Sequence, residues 1–232
     1  MFAISEVGHS LFHLLFPQVC TGCGGDLPFT ETTLCLRCLD SLPDTRFEFH
    51  PDNPVEKKFW GRLPLSGATA SYYFTSESLI QHLMHEFKYR GNKELGRQLG
   101  RMMGNHIQSS GRFDVDALLP LPLFLSRQKK RGFNQAEILC QGIAEILKIP
   151  IMTSAIARTH STDSQTNKGR IERWKNMEGN FIILDNELIS GKHLLLVDDV
   201  ITTGATLEAC GAEMLKGRDV RLSIATLCFA AR

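Results

Sequence analysis

The chain has 232 residues, 43% of them hydrophobic, with 26 Lys and Arg against 25 Asp and Glu for a net charge of +1. That size fits one α/β domain with a small appended module, and the apolar content is enough for a sizeable core. The near-neutral charge excludes a global field drawing the protein to nucleic acid or membrane, and no run of about 18 apolar residues exists to span a bilayer.

Met1 to Phe16 reads as a short amphipathic helix around Phe2, Val7, Leu11, Leu14 and Leu15. It lacks a basic n-region and carries Glu6, so it is not a signal peptide. A cytoplasmic, reducing location follows, and disulfides are not the default explanation for the seven cysteines. Four of them form Cys20-x2-Cys23 and Cys35-x2-Cys38, separated by eleven residues. Two such knuckles supply four thiolates for a tetrahedral, structural Zn²⁺, with no position left for water. Gly22, Gly24 and Gly25 allow the knuckle turn. Two disulfides or a relic module without metal are the competing readings.

Phe47 to Pro64, with Pro51, Pro54 and Pro64, reads as a linker, giving the division 1–46, 47–65 and 66–232. A strand is predicted over Ser66 to Phe74, then a helix capped by Thr75 or Ser76 with apolar Leu79, Ile80, Leu83, Met84 and Phe87. His82 and His85 could form a metal pair, but a solvated face explains them better. Lys88-Tyr89-Arg90-Gly91 ends this helix, and a second runs through Leu95 and Leu99 to Ile107. An apolar strand, Asp114 to Pro122, leads through the basic Arg127 to Arg131 into a helix ending at Lys148. Further strands fit Ile151 to Ala157, Phe181 to Leu184 and Asp219 to Phe229. Between the first two lies Arg158 to Lys175, a polar loop with Arg158, Lys168, Arg170, Arg173 and Lys175 beside Gln165 and Trp174. A loop of that length in a compact domain is usually functional, often a lid. Cys140, Cys210 and Cys228 fall on apolar faces and read as buried small hydrophobes.

The most informative stretch runs from Leu194 to Thr206. Leu194 to Val197 is a buried strand of a parallel sheet, and Asp198 and Asp199 point to opposite sides as it ends. Thr202, Thr203, Gly204, Ala205 and Thr206 then offer hydroxyls and open amides at the start of a helix from Thr206 to Lys216, stopped by Gly217. A phosphate is favoured there by the unsatisfied amides and the helix dipole. Two acids beside it would repel the anion unless they meet ribose hydroxyls or a bridging Mg²⁺. The alternation of strands and helices predicts a twisted, mostly parallel α/β sheet with helices on both faces, ligands binding beyond the carboxyl ends of the strands.

The stretch resembles the 5-phosphoribosyl diphosphate (PRPP) signature of type I phosphoribosyltransferases. That resemblance implies that Asp198 and Asp199 hold the ribose hydroxyls and Thr202 to Thr206 the 5-phosphate. The whole chain is similar to the ComF/GntX family of competence-associated phosphoribosyltransferase-like proteins. The similarity runs through the cysteine pairs, Phe87-Lys88-Tyr89-Arg90-Gly91, Pro120-Leu121-Pro122 and Arg131-Gly132-Phe133-Asn134-Gln135-Ala136. It continues through Arg158-x3-Thr162-x2-Gln165, Arg173-x2-Asn176, Gly179-x-Phe181 and the PRPP stretch. The family implies a zinc ribbon before a type I phosphoribosyltransferase domain, Mg²⁺ with PRPP, and a role in handling DNA during natural transformation; the lack of a long apolar run predicts no membrane insertion. The candidate catalytic residues are then Asp198, Asp199 and Arg131, and Lys88 joins the threonine loop in holding PRPP. One departure matters: hypoxanthine-guanine type transferases carry an Asp, the proposed base, where this chain has Thr202. The two expectations are therefore a PRPP-dependent transferase and a single-stranded nucleic-acid-binding factor that retains the fold.

Overall fold

The structure is a computed structural model, and it describes residues 18–27, 32–123, 131–158 and 181–231. The amphipathic helix expected over 1–16, the basic residues 127–130, and the lid expected beyond Arg158, with Trp174, lie outside the described residues.

Four strands form a wholly parallel sheet: β1 (Gly67–Tyr73), β2 (Ala117–Pro120), β5 (His193–Ile201) and β6 (Arg221–Phe229), in the order β1-β6-β5-β2. Two shorter strands, β3 (Ile156–Arg158) and β4 (Phe181–Ile183), pair antiparallel in a separate ribbon. The long helices are α3 (Leu79–Tyr89), α4 (Lys93–Ser110), α5 (Gln135–Leu147) and α7 (Ala205–Met214). Three shorter ones are α1 (Leu36–Asp40), α2 (Pro54–Lys57) and α6 (Asn186–Ile189).

The near-continuous apolar runs of β5 and β6 are explained by burial on both faces. Leu195 and Val197 of β5 join one hydrophobic cluster with residues of α3, α4 and α5. Leu194 and Leu196 face the other way and pack with Phe59 and with Leu207, Cys210 and Met214 of α7. Helices therefore cover both faces, as the alternation predicts. Cys140, Cys210 and Cys228 are fully buried, as their apolar faces require.

Several boundaries differ from expectation for physical reasons. β5 continues past Val197 because β6 runs on beside it, pairing Asp198 with Thr226 and Ile201 with Phe229. The two acids consequently stand inside the ladder, not after it. β2 is shorter than the expected 114–122, its pairing with β5 running from Ala117 to Pro120. The 151–157 strand is divided: Ile151 bridges Leu118, and only Ile156 onward pairs with β4. Helix α3 is capped by Ser78, whose Oγ accepts from the Gln81 amide at 3.3 Å, not by Thr75 or Ser76.

The largest difference concerns residues 47–64. Phe47, Val55, Phe59 and Leu63 are all buried in the cluster beneath α7. Asn53 caps α2 through the amides of Val55 and Glu56, while its Nδ2 donates to the carbonyls of Phe47, His50 and Ala68. This strap is thus fastened to β1 by hydrogen bonds and apolar packing. Residues 43–45 complete the arrangement by running along the outer edge of β1, with Tyr73 N–H donating to Pro43 and Thr45 N–H to Ser71.

Candidate functional site

The acids on β5 alternate across the sheet. Asp199 is buried, and its Oδ2 lies 2.9 Å from Lys88 Nζ at the end of α3. Asp198 is half-buried on the opposite side, where its Oδ1 accepts the Asp199 amide at 2.8 Å. Burial and the neighbouring Asp199 carboxylate push Asp198 up to about 7, against the weaker opposing pull of Lys88 and Arg158. The chain therefore sets one acid against a lysine and leaves the other with a pKa raised to about 7. Lys88 has three donor hydrogens, so engagement with Asp199 leaves capacity for a ligand.

Beyond Ile201 the chain opens. Thr202 and Thr203 are exposed, and Gly204 adopts φ 80° at the N-cap of α7 with no side chain capping the helix. The nearest substitute is a long contact, Ala205 N–H to Thr203 Oγ1 at 3.4 Å. The first turn of α7 thus presents donors and the positive dipole end without a strong intramolecular acceptor, which suits an anion. Phe59 braces this loop from the strap: a Cβ on Gly204 would stand 3.1 Å from its ring. Glu208, an acid in the same first turn, is neutralised by Arg62 at 2.7 Å.

Leu121, after β2, and Arg131 to Asn134, before α5, form the other side. Leu121 N–H donates to Val197 O, and Asn134 ties the two together by donating to Leu121 O while capping α5. Arg131 lies 5.9 Å from the ring centre of the exposed Tyr89 and donates to Gln135 Oε1 at 2.8 Å. It therefore stands beside the end of α3, next to the residue that pairs with Asp199. Lys88, Arg131, both acids and the threonine loop are all carried to the carboxyl end of the sheet. Direct side-chain contact among them is made by Lys88 and Asp199. His82 instead meets Thr21 O at 2.9 Å and His85 packs on Tyr89, both from an exposed face.

The sulfur atoms of Cys20, Cys23, Cys35 and Cys38 lie within 4.8 Å of one another, the one candidate metal cluster among the described residues. A hairpin closed by the Val19–Asp26 bridge carries the first pair, and α1 carries the second. The Cys35 amide donates to Cys20 Sγ at 3.2 Å. Burial acts to raise the Cys20 thiol, but amides of Cys35, Cys23 and Gly22 outweigh it and bring it down to about 6. Cys38 moves up through burial and hydrogen bonding with its neighbouring thiols. Gly22 is needed for space, since a Cβ there would stand 2.9 Å from Cys38 Sγ. Four soft donors at this spacing, with amides directed at sulfur, fit a tetrahedral metal such as Zn²⁺. The module is docked on the main body: Cys20, Leu27, Leu34 and Cys38 share a core cluster with α3 and α4, and Thr33 binds Gln98.

Sequence reasoning missed the strap as part of this site. Asn53-Pro54 was the available signal, a capping residue followed by Pro at the first helical position. Val55, Phe59 and Leu63 then recur at four-residue intervals, as a buried helical face requires.

A family model described as "Phosphoribosyl transferase domain" matches residues 129–232. A DNA utilization protein YhgH from Escherichia coli O157:H7 is 29% identical over 205 residues, covering 86% of this chain and 85% of that protein. Competence protein F of Haemophilus influenzae is 25% identical over 205 residues, covering 81% and 86%. Among solved structures, a glutamine phosphoribosylpyrophosphate amidotransferase from B. subtilis aligns at 16% identity with a TM-score of 0.42, over 60% of this chain and 30% of that one.

Proposed function

We propose that the chain is a ComF-type competence-associated phosphoribosyltransferase-like protein, on its likeness to these relatives, and that it binds PRPP, with its Mg²⁺, at the carboxyl end of the sheet while serving DNA uptake. One observation carries the reading: a glycine-initiated, uncapped helix start directly follows an acid pair. The amides and hydroxyls of Thr202 to Thr206 would take the 5-phosphate. Asp198 and Asp199 would accept hydrogen bonds from the ribose hydroxyls. Lys88 and Arg131 would meet the diphosphate, which needs cations that the threonine loop does not supply. Arg131 would leave Tyr89 to do so.

Glycosyl transfer extends this reading. Stabilising a departing pyrophosphate would fall to Lys88 and Arg131, acting on charge that develops as the bond breaks. Thr202 supplies no base, so the acceptor's proton would leave by another group. The four cysteines would hold Zn²⁺ in a structural role, fastening the module to α3 and α4. We place the module within residues 1–46, and the phosphosugar site in 66–232 with the strap against it. Among the described residues no helix is long and apolar enough to cross a membrane. The second reading, a non-catalytic single-stranded nucleic-acid-binding factor, is favoured by Thr202 and by the names of the relatives.

Calorimetric titration of Mg²⁺-PRPP into the wild type and the Asp198→Ala/Asp199→Ala variant tests the proposal. Saturable binding that the variant loses is expected. No heat of binding in the wild type would reduce the loop to inherited architecture. Pyrophosphate release from PRPP with base or nucleic-acid acceptors tests turnover separately.

A further inference from the structure

The strap presents a surface that phosphosugar binding does not use. Just beyond α2, Trp60 is 58% exposed, a large aromatic ring given to solvent beside the buried Val55, Phe59 and Leu63. Lys57 Nζ lies 5.7 Å from its ring centre, and the next residue, Lys58, lies 5.0 Å over Phe229. Phe229 in turn packs edge-on against Tyr73, which is 38% exposed at the end of β1. Two ammonium groups thus lie between aromatic rings along this segment.

Charge bookkeeping leaves this rim of the site positive. Glu56 is occupied by Arg112, the Ala68 amide and the Asp52 amide, and Glu208 is paired with Arg62. The Glu48 side chain is buried. Asp52 is the exposed acid close by in the chain. Neither Lys57 nor Lys58 forms an ion pair among the described residues. Position matters too, because Phe59 between them and Trp60 touches the Gly204 turn, fixing the rim beside the threonine loop.

We propose that Lys57, Lys58, Trp60 and Tyr73 form a docking surface for single-stranded nucleic acid, Trp60 stacking on a base while the lysines meet backbone phosphates. A polymer with a planar ring and an anion in every unit matches lysines flanked by aromatic rings; a folded protein partner would want a broader apolar face. The proposal rests on the DNA-handling part of the functional reading and not on the PRPP part.

The test is fluorescence anisotropy with a labelled oligothymidylate of about 12 nucleotides, a length within the usual single-strand footprint. Trp60→Ala is expected to weaken binding roughly ten-fold, with Trp60→Phe recovering most of it. Lys57→Ala/Lys58→Ala should lower the salt slope by about 1.4. Calorimetric PRPP binding should be unchanged in all three variants. Unchanged oligonucleotide affinity and slope would overturn the surface. So would loss through Tyr89→Ala without loss through Trp60→Ala, which would move the contact to the opposite rim. Equal competition by polyglutamate would show that charge alone is read and overturn the stacking. Failure of the wild type to bind at low salt would overturn the surface and the DNA reading together, leaving the PRPP titration to judge the phosphosugar site alone.

Discussion

The cysteine cluster and the Thr202–Thr206 loop are both short, glycine-bearing turns that gather polar donors, yet they end in opposite conditions. The cluster is closed: four sulfurs face one another, amides point at them, and Cys20 and Cys38 are buried. The loop is open: Thr202 and Thr203 are exposed, and the helix behind it lacks a side-chain cap. A closed donor set completes itself with a metal and then supports its neighbours. An open one leaves a position that a ligand must fill. The difference separates scaffold from site more clearly than residue type does.

The contrast predicts that damage to the closed region is felt as stability. Cys20→Ser/Cys38→Ser should abolish zinc retention and cost roughly 3–5 kcal/mol, because Leu27 and Leu34 lose the module that holds them against α3 and α4. Zinc analysis and denaturant melts would show it. An unchanged melting curve in zinc-free protein would mean that the cluster is not structural support.

The open region should behave in the reverse sense, with stability given up for a poised group. Asp198 is raised in the fold, so the folded protein binds its proton more tightly than the unfolded chain does. Stability contributed by that proton is present at low pH and is lost as pH rises from about 4 through about 7. Asp198→Asn should therefore stabilise the ligand-free protein by about 1 kcal/mol at pH 8, after discounting for partial exposure, and by less at pH 5. Thermal melts at the two pH values measure it. A variant that is destabilised equally at both would show that Asp198 is serving the scaffold.

Much of this was legible in the sequence because it was local. The cysteine spacing, the apolar run into Asp198 and the Thr-Thr-Gly start of α7 each carry their meaning within a span of nineteen residues or fewer. What was hidden depended on partners remote in the chain. The end of β5 was misplaced because β6 supplies the register that extends it. The Lys88–Asp199 pair needed the packing of α3 beside the sheet to become visible. The strap was obscured by its own composition, since three prolines and mixed charges mimic a linker while Val55, Phe59 and Leu63 lie underneath them.

The central claim is that a phosphosugar sits at the start of α7. Amide resonances of Gly204, Ala205 and Thr206, followed by NMR as Mg²⁺-PRPP is added, test it most directly. The largest shifts in the protein should fall on these amides, with those of the cysteine module unmoved. Saturable shifts confined to another surface, with the α7 amides unchanged, would contradict it.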